Sequence, residues 1–240
     1  MIMISYLVSL IQGNNPGTTY SNLDSGEFRE LINNKTKGSL LDVRTRPEFA
    51  VGHIDGAGQL NFYSFDFRKK LLLLPRDKPV YLYCNTGYRS RIAARFLSKN
   101  GYSKVYNLEK GIMDWELHDM PVIAEAGAKP DTRDKMEADE FNALVSGDQP
   151  VLIDFYAPWC APCRTMMPMI EKLTKDYDGM VRIVKINADA SKTLVKKLQI
   201  GGVPYFVIYQ KGEILYKHQG VIDEQAIRRE LKKYSGAGSE

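Results

Sequence analysis

Two cysteines, Cys160 and Cys163, are separated by only two residues, and this spacing limits the folds that the chain can adopt. The preceding run, residues 151–156, is apolar, β-branched and aromatic, which predicts a buried strand. Residues 164–175 predict a helix. Cys160 then lies at a strand-to-helix junction, where free backbone N–H groups and the positive end of the helix favour a thiolate. An unperturbed thiol is only about 3 % ionised at pH 7, so this placement predicts a nucleophile.

The segment from Asp154 to Cys163 resembles the active-site segment of the thioredoxin family, with Ala161 at a position where glycine is common. The resemblance covers roughly residues 135–234. It implies a thioredoxin fold with a mixed central sheet, in which Cys160 attacks and Cys163 resolves. It also implies that Pro168 bends the helix that follows the cysteines.

Further site residues follow from this resemblance alone. Val203 and Pro204 match the cis-proline pair that faces the disulfide and orients an extended substrate. Trp159 is expected to contact the substrate as well. Asp154 and Lys185 match the buried acid and its partner that tune the resolving cysteine.

Two other uses of the cysteine pair carry less weight. A structural zinc site takes four ligands, but the chain has only one other cysteine, Cys84, and three scattered histidines. A purely structural disulfide would gain little, because so short a loop hardly restricts the unfolded chain. We therefore expect redox chemistry at this pair, with no metal and no cofactor.

The composition describes an ordinary globular protein. A length of 240 residues suggests two domains, each able to bury its own core. The apolar fraction is 44 % and the charged fraction 26 %, as in soluble proteins. The net charge of +4 is small and spread along the chain, which argues against nucleic acid as a partner.

Residues 1–11 form an uncharged apolar run whose length fits the core of a signal peptide but is far too short to span a bilayer. The run lacks preceding positive residues and a small-residue cleavage site after it. A trimmed export signal, a docked first helix and an expression artefact all fit. We favour a periplasmic or exported location over a cytoplasmic one, and we expect no membrane span.

The first half of the chain has a nucleophile of its own. Residues 39–43 and 80–84 predict buried strands, and residues 90–100 predict a helix. Strands that alternate with helices indicate a parallel sheet covered on both faces. The loop from Cys84 to Ser90 would point successive backbone N–H groups inward and form an anion-binding cradle with Cys84 at its floor.

This loop and its surroundings resemble the rhodanese family of sulfurtransferases over roughly residues 20–123. The matching motifs are Leu41 to Arg44, Glu48 with Phe49, Gly52 to Ala57, Val105 to Leu108, Gly111, Trp115 and Pro121. Lys110 and Met120 depart from the family pattern, which affects local turns more than chemistry. The resemblance implies that Cys84 carries a sulfane sulfur as a persulfide.

The residues around Cys84 divide into binding and supporting groups. The candidate substrate-binding residues of the loop are Asn85, Thr86, Gly87, Tyr88 and Ser90. Arg89 follows the cradle and is expected to contact an anionic donor. Asp42 and Arg44 are expected to hold the loops by hydrogen bonds and ion pairs, as are Glu48 and His53. Without this loop, a lone cysteine at a strand end would equally be an inert small hydrophobe.

Loop length distinguishes two chemistries. Four residues separate Cys84 from Arg89. Cys-dependent phosphatases place one more residue there, usually with a histidine before the cysteine, whereas Tyr83 precedes Cys84 here. The shorter loop makes a smaller cradle, which favours sulfur transfer over phosphate or arsenate chemistry.

These arguments give an α/β chain of two domains: residues 1–17 as a trimmed signal or flexible N-terminus, 18–124 as a rhodanese-like domain, 125–133 as a linker and 134–236 as a thioredoxin domain.

The leading hypothesis is sulfur transfer coupled to dithiol oxidation. The alternatives are two independent activities, or a silent rhodanese docking module on a thioredoxin. The expected partners are a sulfane-sulfur donor such as thiosulfate, protein disulfides or persulfides, and an external reductant such as a thioredoxin reductase or another thiol donor. We expect a monomer.

Overall fold

Each half of the chain has its own β-sheet in the computed structural model, which describes residues 20–33 and 38–235. The chain divides into two units, Met1–Glu125 and Ala126–Glu240. The export segment predicted at residues 1–17 lies outside the described residues. In the part of the chain that the structure describes, no helix combines the length and the apolar character needed to cross a bilayer.

The first unit is a parallel sheet with helices between its strands. The strands are β1 (Tyr20–Leu23), β2 (Ser39–Asp42), β3 (Gly58–Gln59), β4 (Val80–Tyr83) and β5 (Val105–Leu108). The helices are α1 (Ser25–Asn33), α2 (Arg46–Val51), α3 (Phe67–Leu71), α4 (Tyr88–Lys99) and α5 (Gly111–Leu117). The strand order is β1-β5-β4-β2-β3 and every pairing is parallel, so the predicted parallel sheet is confirmed.

The central strand β4 ends directly before Cys84, so Cys84 lies at the carboxyl end of this strand. All residues of β4 are buried, and side chains alternate between the two faces of a strand. Val80 and Leu82 therefore pack with Cys84 on one face, whereas Tyr81 and Tyr83 pack into a separate apolar cluster on the other. Ligands of parallel sheets bind at the carboxyl ends of the strands, which is where Cys84 lies.

Two glycines let the loop after β4 pack tightly against the start of α5. Gly87 has φ +77°, and a Cβ there would overlap the backbone carbonyl of Glu109. Gly111 has φ +70°, and a Cβ there would overlap the backbone of Cys84. This close approach lets the Ile112 N–H donate to the Cys84 carbonyl at 2.8 Å, which fixes the start of the loop.

The second unit has a mixed sheet. Its strands are β6 (Val151–Tyr156), β7 (Arg182–Asn187), β8 (Tyr205–Gln210) and β9 (Glu213–Gln219). Its helices are α6 (Ala138–Val145), α7 (Ala161–Asp176), α8 (Lys192–Lys197) and α9 (Glu224–Lys232). The strand order is β7-β6-β8-β9, with β6 parallel to β7 and antiparallel to β8, so the mixed sheet implied by the resemblance is confirmed.

Helix α7 begins three residues before the predicted start, directly after Cys160. The Cys160 sulfur caps the helix by accepting from the Cys163 N–H at 3.1 Å. Pro162 lies in the first turn, where the missing N–H of a proline costs nothing. Pro168 lies inside the helix, where it removes one backbone hydrogen bond. The cap, rather than the apolar pattern, sets the boundary.

Candidate functional site

Cys84 is a free cysteine directly after β4, and only 1 % of its surface is exposed. The Ser90 hydroxyl in the first turn of α4 donates to its sulfur at 3.5 Å. Asn85 is buried as well, whereas Thr86 is half-buried and Tyr88 is 60 % exposed. The sulfur therefore lies beneath its loop, with the loop's exposed part formed by Tyr88.

A buried ion pair supports the start of this loop. Arg44 bonds Asp42 with an N–O distance of 2.7 Å, and the two side chains are 6 % and 0 % exposed. The other terminal nitrogen of Arg44 donates to the Asn85 side-chain oxygen at 3.1 Å. Burial alone would lower the pKa of Arg44, but the charge and hydrogen bonds of Asp42 raise it. The end of β2 is thereby tied to the residue after the nucleophile.

A second buried pair joins Arg89 to Glu48. Both terminal nitrogens of Arg89 donate to this carboxylate, at 2.6 and 3.2 Å. Burial alone would raise the pKa of Glu48, but Arg89 and then Thr45 lower it. Burial alone would lower the pKa of Arg89, but Glu48 and, more weakly, Cys84 raise it. Arg89, predicted to contact an anionic donor, is thus paired with a carboxylate while it remains electrostatically coupled to the thiol.

In the second unit, Cys160 and Cys163 form a disulfide at the start of α7, with 2 % and 3 % of their surfaces exposed. Trp159 and Val203 pack against this pair. The peptide bond between Val203 and Pro204 is cis. The structure therefore brings the cysteines, Trp159 and Val203 together.

Asp154 lies on β6 directly opposite Lys185 of β7 in the parallel register. It is 3 % exposed, and its Oδ1 has no hydrogen-bond partner among the described residues. Burial raises the pKa of Asp154 to about 7, against the attraction of Lys185, which lowers it. A carboxyl group with this pKa exchanges its proton near neutral pH.

Comparisons with known proteins cover both units. A rhodanese-like domain model matches residues 24–118, and a thioredoxin model matches residues 133–233. The thioredoxin of Porphyra purpurea is 33 % identical over 91 residues, which cover 38 % of this chain and 85 % of that protein. The chain belongs to the thioredoxin family. It carries a rhodanese-like domain as well, so the predicted rhodanese and thioredoxin fusion is confirmed.

Other thioredoxins are similar to this chain as well. The chloroplastic M-type thioredoxin of Pisum sativum is 30 % identical over 153 residues, which cover 63 % of this chain and 83 % of that protein. Among solved structures, oxidised mitochondrial thioredoxin 3 of Saccharomyces cerevisiae is 33 % identical, with 40 % of this chain and 90 % of that one covered and a TM-score of 0.38. The two family models assign the domains to a sulfurtransferase family and a thiol oxidoreductase family, whose partners are sulfur donors and thiols.

Two contacts of these domains were not predicted. In the rhodanese-like domain, Thr45 and Glu48 form a capping box at the start of α2. That pattern is visible in the sequence, but it does not show that Glu48 also meets Arg89, 41 positions away. In the thioredoxin domain, the Trp159 indole N–H donates to Asp189 at 2.9 Å. No local pattern marks Asp189, because the contact joins segments 30 positions apart.

Proposed function

We propose that this chain moves a sulfane sulfur onto Cys84 and reduces it to sulfide with the electrons of Cys160 and Cys163. The observation that carries the proposal is a geometry that occurs in both domains. Cys84 precedes α4 and Cys160 precedes α7, so each domain places a buried cysteine between a strand and a helix. A helix N-terminus stabilises negative charge that develops beside it.

In the first step, the Cys84 thiolate attacks the outer sulfur of the donor. With thiosulfate, the S–S bond breaks, sulfite leaves with the electron pair, and Cys84 carries the sulfur as a persulfide. The Ser90 hydroxyl, 3.5 Å from Sγ, supports the charged sulfur by donating to it. The thioredoxin cysteines take no part in this step.

In the second step, the Cys160 thiolate attacks Sγ of the Cys84 persulfide. Hydrosulfide leaves, and a mixed disulfide joins Cys84 to Cys160. The Cys163 thiolate then attacks Sγ of Cys160, which frees Cys84 as a thiolate and leaves the disulfide seen in the structure. Two electrons pass from the dithiol to the sulfane sulfur. An external reductant, such as a thioredoxin reductase or another thiol donor, restores the dithiol.

Asp154 serves in this scheme as the general base for Cys163. Its pKa of about 7 leaves a useful fraction of carboxylate at neutral pH, and a buried carboxylate with an unpaired oxygen accepts a proton readily. Replacing Asp154 by Asn is expected to slow resolution of the mixed disulfide while the first attack by Cys160 stays nearly unchanged. Equal loss of both steps would exclude this role.

The test begins with the fully reduced chain and no added thiol. Thiosulfate is added in one series and an alkyl persulfide in another, sulfide release is followed, and the cysteines are mapped by mass. We expect about one sulfide per chain together with an oxidised Cys160 and Cys163 pair, and with thiosulfate as the donor both should be lost in Cys84→Ser. Sulfur retained on Cys84 while the pair stays reduced would instead show two independent activities.

A mixing experiment distinguishes transfer within a chain from transfer between chains. Cys84→Ser and Cys160→Ser chains are each inactive in the relay but complement each other if sulfur passes between molecules. We expect sulfide release from the mixture to be slow and to rise with protein concentration, whereas release from the unaltered chain is independent of concentration. A mixture as fast as the unaltered chain would contradict an internal relay.

A docking role for the rhodanese-like domain is the second candidate. It is favoured by the burial of Cys84, at 1 % exposure, and by the pairing of Arg89 with Glu48. If Cys84 gains no sulfur from either donor while Cys160 still reduces protein disulfides, this candidate replaces the relay.

A further inference from the structure

We infer that the sulfur donor of Cys84 is an organic persulfide with an apolar carrier group, rather than a small dianion such as thiosulfate. The inference rests on the proposed function, since it names the donor class for the same cysteine. Two independent features support it: the charges around the loop, and an aromatic surface beside Arg89.

Both buried arginines at the loop are neutralised from within the protein. Arg44 is paired with Asp42 and Arg89 with Glu48, and each of the four side chains is at most 9 % exposed. Two positive charges are thus matched by two negative ones next to Cys84. A dianion must either displace Glu48 from Arg89 or lie beside its carboxylate, and a displaced buried carboxylate is costly.

Several hydrogen bonds hold the Glu48 carboxylate, so its displacement from Arg89 is unfavourable. Its carboxylate accepts the Thr45 backbone N–H at 2.9 Å and also bonds the Thr45 hydroxyl. The Asn85 side-chain amide donates to it at 2.7 Å, and Arg89 donates with two nitrogens. A carboxylate that accepts this many hydrogen bonds stays ionised and in place, in line with its lowered pKa. The loop therefore recognises donors of low charge.

An aromatic segment borders the same arginine. The Tyr63 ring lies 5.7 Å from the Arg89 guanidinium, and Tyr63 is 60 % exposed. Phe65, two residues further on, is fully exposed. Phe65, Phe62 and Phe96 line a cavity of about 340 Å³.

Two residues that line this cavity, Phe67 and Ala93, belong to the apolar cluster that contains Cys84. Phe62 and Phe96 pack against the apolar cluster that contains Cys84. An apolar carrier group is stabilised by burial against these rings, because its apolar surface is removed from water. The sulfite group of thiosulfate would gain nothing there.

The transfer step balances for this donor. The Cys84 thiolate attacks the outer sulfur of R–S–SH, the S–S bond breaks, and the carrier leaves as the thiolate R–S⁻. The outer sulfur keeps its proton, so Cys84 becomes Cys84–S–SH. No external oxidant or reductant is required.

The test isolates Cys84 in the full chain that carries Cys160→Ser and Cys163→Ser. Loading by thiosulfate and by benzyl persulfide is followed as the gain of one sulfur by mass, and each rate is divided by the rate of a free small thiol with the same donor. After this normalisation we expect benzyl persulfide to be preferred by about tenfold or more. A normalised preference for thiosulfate would overturn the inference without any further variant.

Glu48→Gln gives a second readout, because glutamine preserves the capping box but removes the charge. We expect thiosulfate loading to rise about tenfold and benzyl persulfide loading to change less than about threefold. The gain should disappear in Glu48→Gln combined with Arg89→Gln, since the unpaired Arg89 cation is then gone and Arg44 stays paired with Asp42. Glu30→Gln, which removes an equal charge from the exposed side of α1, is the matched control.

Phe65→Ser tests the aromatic surface, and it should slow benzyl persulfide about threefold while leaving thiosulfate unchanged. An equal effect of Glu48→Gln on both donors would overturn the inference while the proposed function stands. Sulfur on Cys84 from neither donor would overturn both.

Discussion

The two thiol centres of this chain lie at similar strand-to-helix junctions but in opposite electrostatic surroundings. Around Cys84, the buried charges come in closed pairs, with Arg44 on Asp42 and Arg89 on Glu48. On β6 of the thioredoxin domain, Asp154 is a buried carboxylate whose Oδ1 has no partner among the described residues, and burial raises its pKa to about 7. Paired charges fix a shape and keep their protonation state across the physiological range, whereas an unpaired one exchanges its proton.

This difference matches the steps that each centre would perform. Loading sulfur onto Cys84 needs a rigid loop and a defined donor, but no proton store. Resolution by Cys163 needs a group that takes a proton near neutral pH. Closed ion pairs around Cys84 and an open carboxylate at Asp154 should respond differently to substitution, in stability as well as in reaction rate.

Replacing Arg44 by Met should have the largest effect, because it leaves Asp42 buried without its partner. Removing one member of a buried pair costs about 3–5 kcal/mol in the free energy of unfolding. This loss of unfolding free energy is measured by urea denaturation of the rhodanese-like domain. Arg46→Met is the matched control, since Arg46 pairs with Glu125 at the surface with 60 % and 35 % exposure. Such a pair is worth at most about 1 kcal/mol, so equal losses would contradict the closed-pair description.

Asp154→Asn tests the open carboxylate through the pH dependence of stability. The folded pKa of about 7 lies above the ordinary value of 3.8, so folding favours the protonated acid. Between these values the native state binds a proton that the unfolded state has lost, and stability therefore falls as pH rises, by up to about 4 kcal/mol. The loss levels off above about pH 7.

In Asp154→Asn the fall of the unfolding free energy with rising pH should disappear. The variant should then be more stable than the unaltered protein at pH 8. Denaturation of the oxidised chain at a series of pH values between 4 and 8 measures the slope. Asp148→Asn, at a side chain that is 94 % exposed, should leave it unchanged. A pH dependence of stability that persists in Asp154→Asn would show that a different group titrates.

Gly111→Ala tests how the Cys84 loop is held. The added Cβ would overlap the backbone of Cys84 and Asn85 at φ +70°, so we expect a loss of about 3 kcal/mol and failure of sulfur loading. Gly56 has a similar φ of +76°, but a Cβ there would meet no described atom within 4 Å. Gly56→Ala should therefore cost only the conformational term, about 1 kcal/mol. Similar costs at both sites would show that backbone packing does not fix the loop.

Local patterns were enough to predict the parallel sheet of the first unit and the helices that follow Cys84 and Cys160, whereas the mixed sheet of the second unit was implied by the resemblance to thioredoxins. The apolar run of β4 and the motif around Cys160 each lie within a few residues, where periodicity and spacing are readable. The pairing of Arg89 with Glu48 was not predictable, because it joins residues 41 positions apart that meet only once the sheet has formed. The start of α7 was misplaced because a cysteine sulfur, which is not a usual cap, ends up capping it.

The smallest effect is expected at Asp189, whose side chain holds Trp159 beside the disulfide. Asp189→Ala removes the acceptor of the indole N–H, a bond of 2.9 Å at a half-buried position, which should cost about 1 kcal/mol. The indole would then sample more positions near Cys160, so protein-disulfide reduction should slow about two- to threefold. Asp189→Asn keeps an acceptor oxygen and should restore both values.

Sulfur loading on Cys84 should not respond to either variant, because the loop of the rhodanese-like domain is held by its own glycines and ion pairs. A response there would mean that the two centres, so different in their charges, are nevertheless coupled.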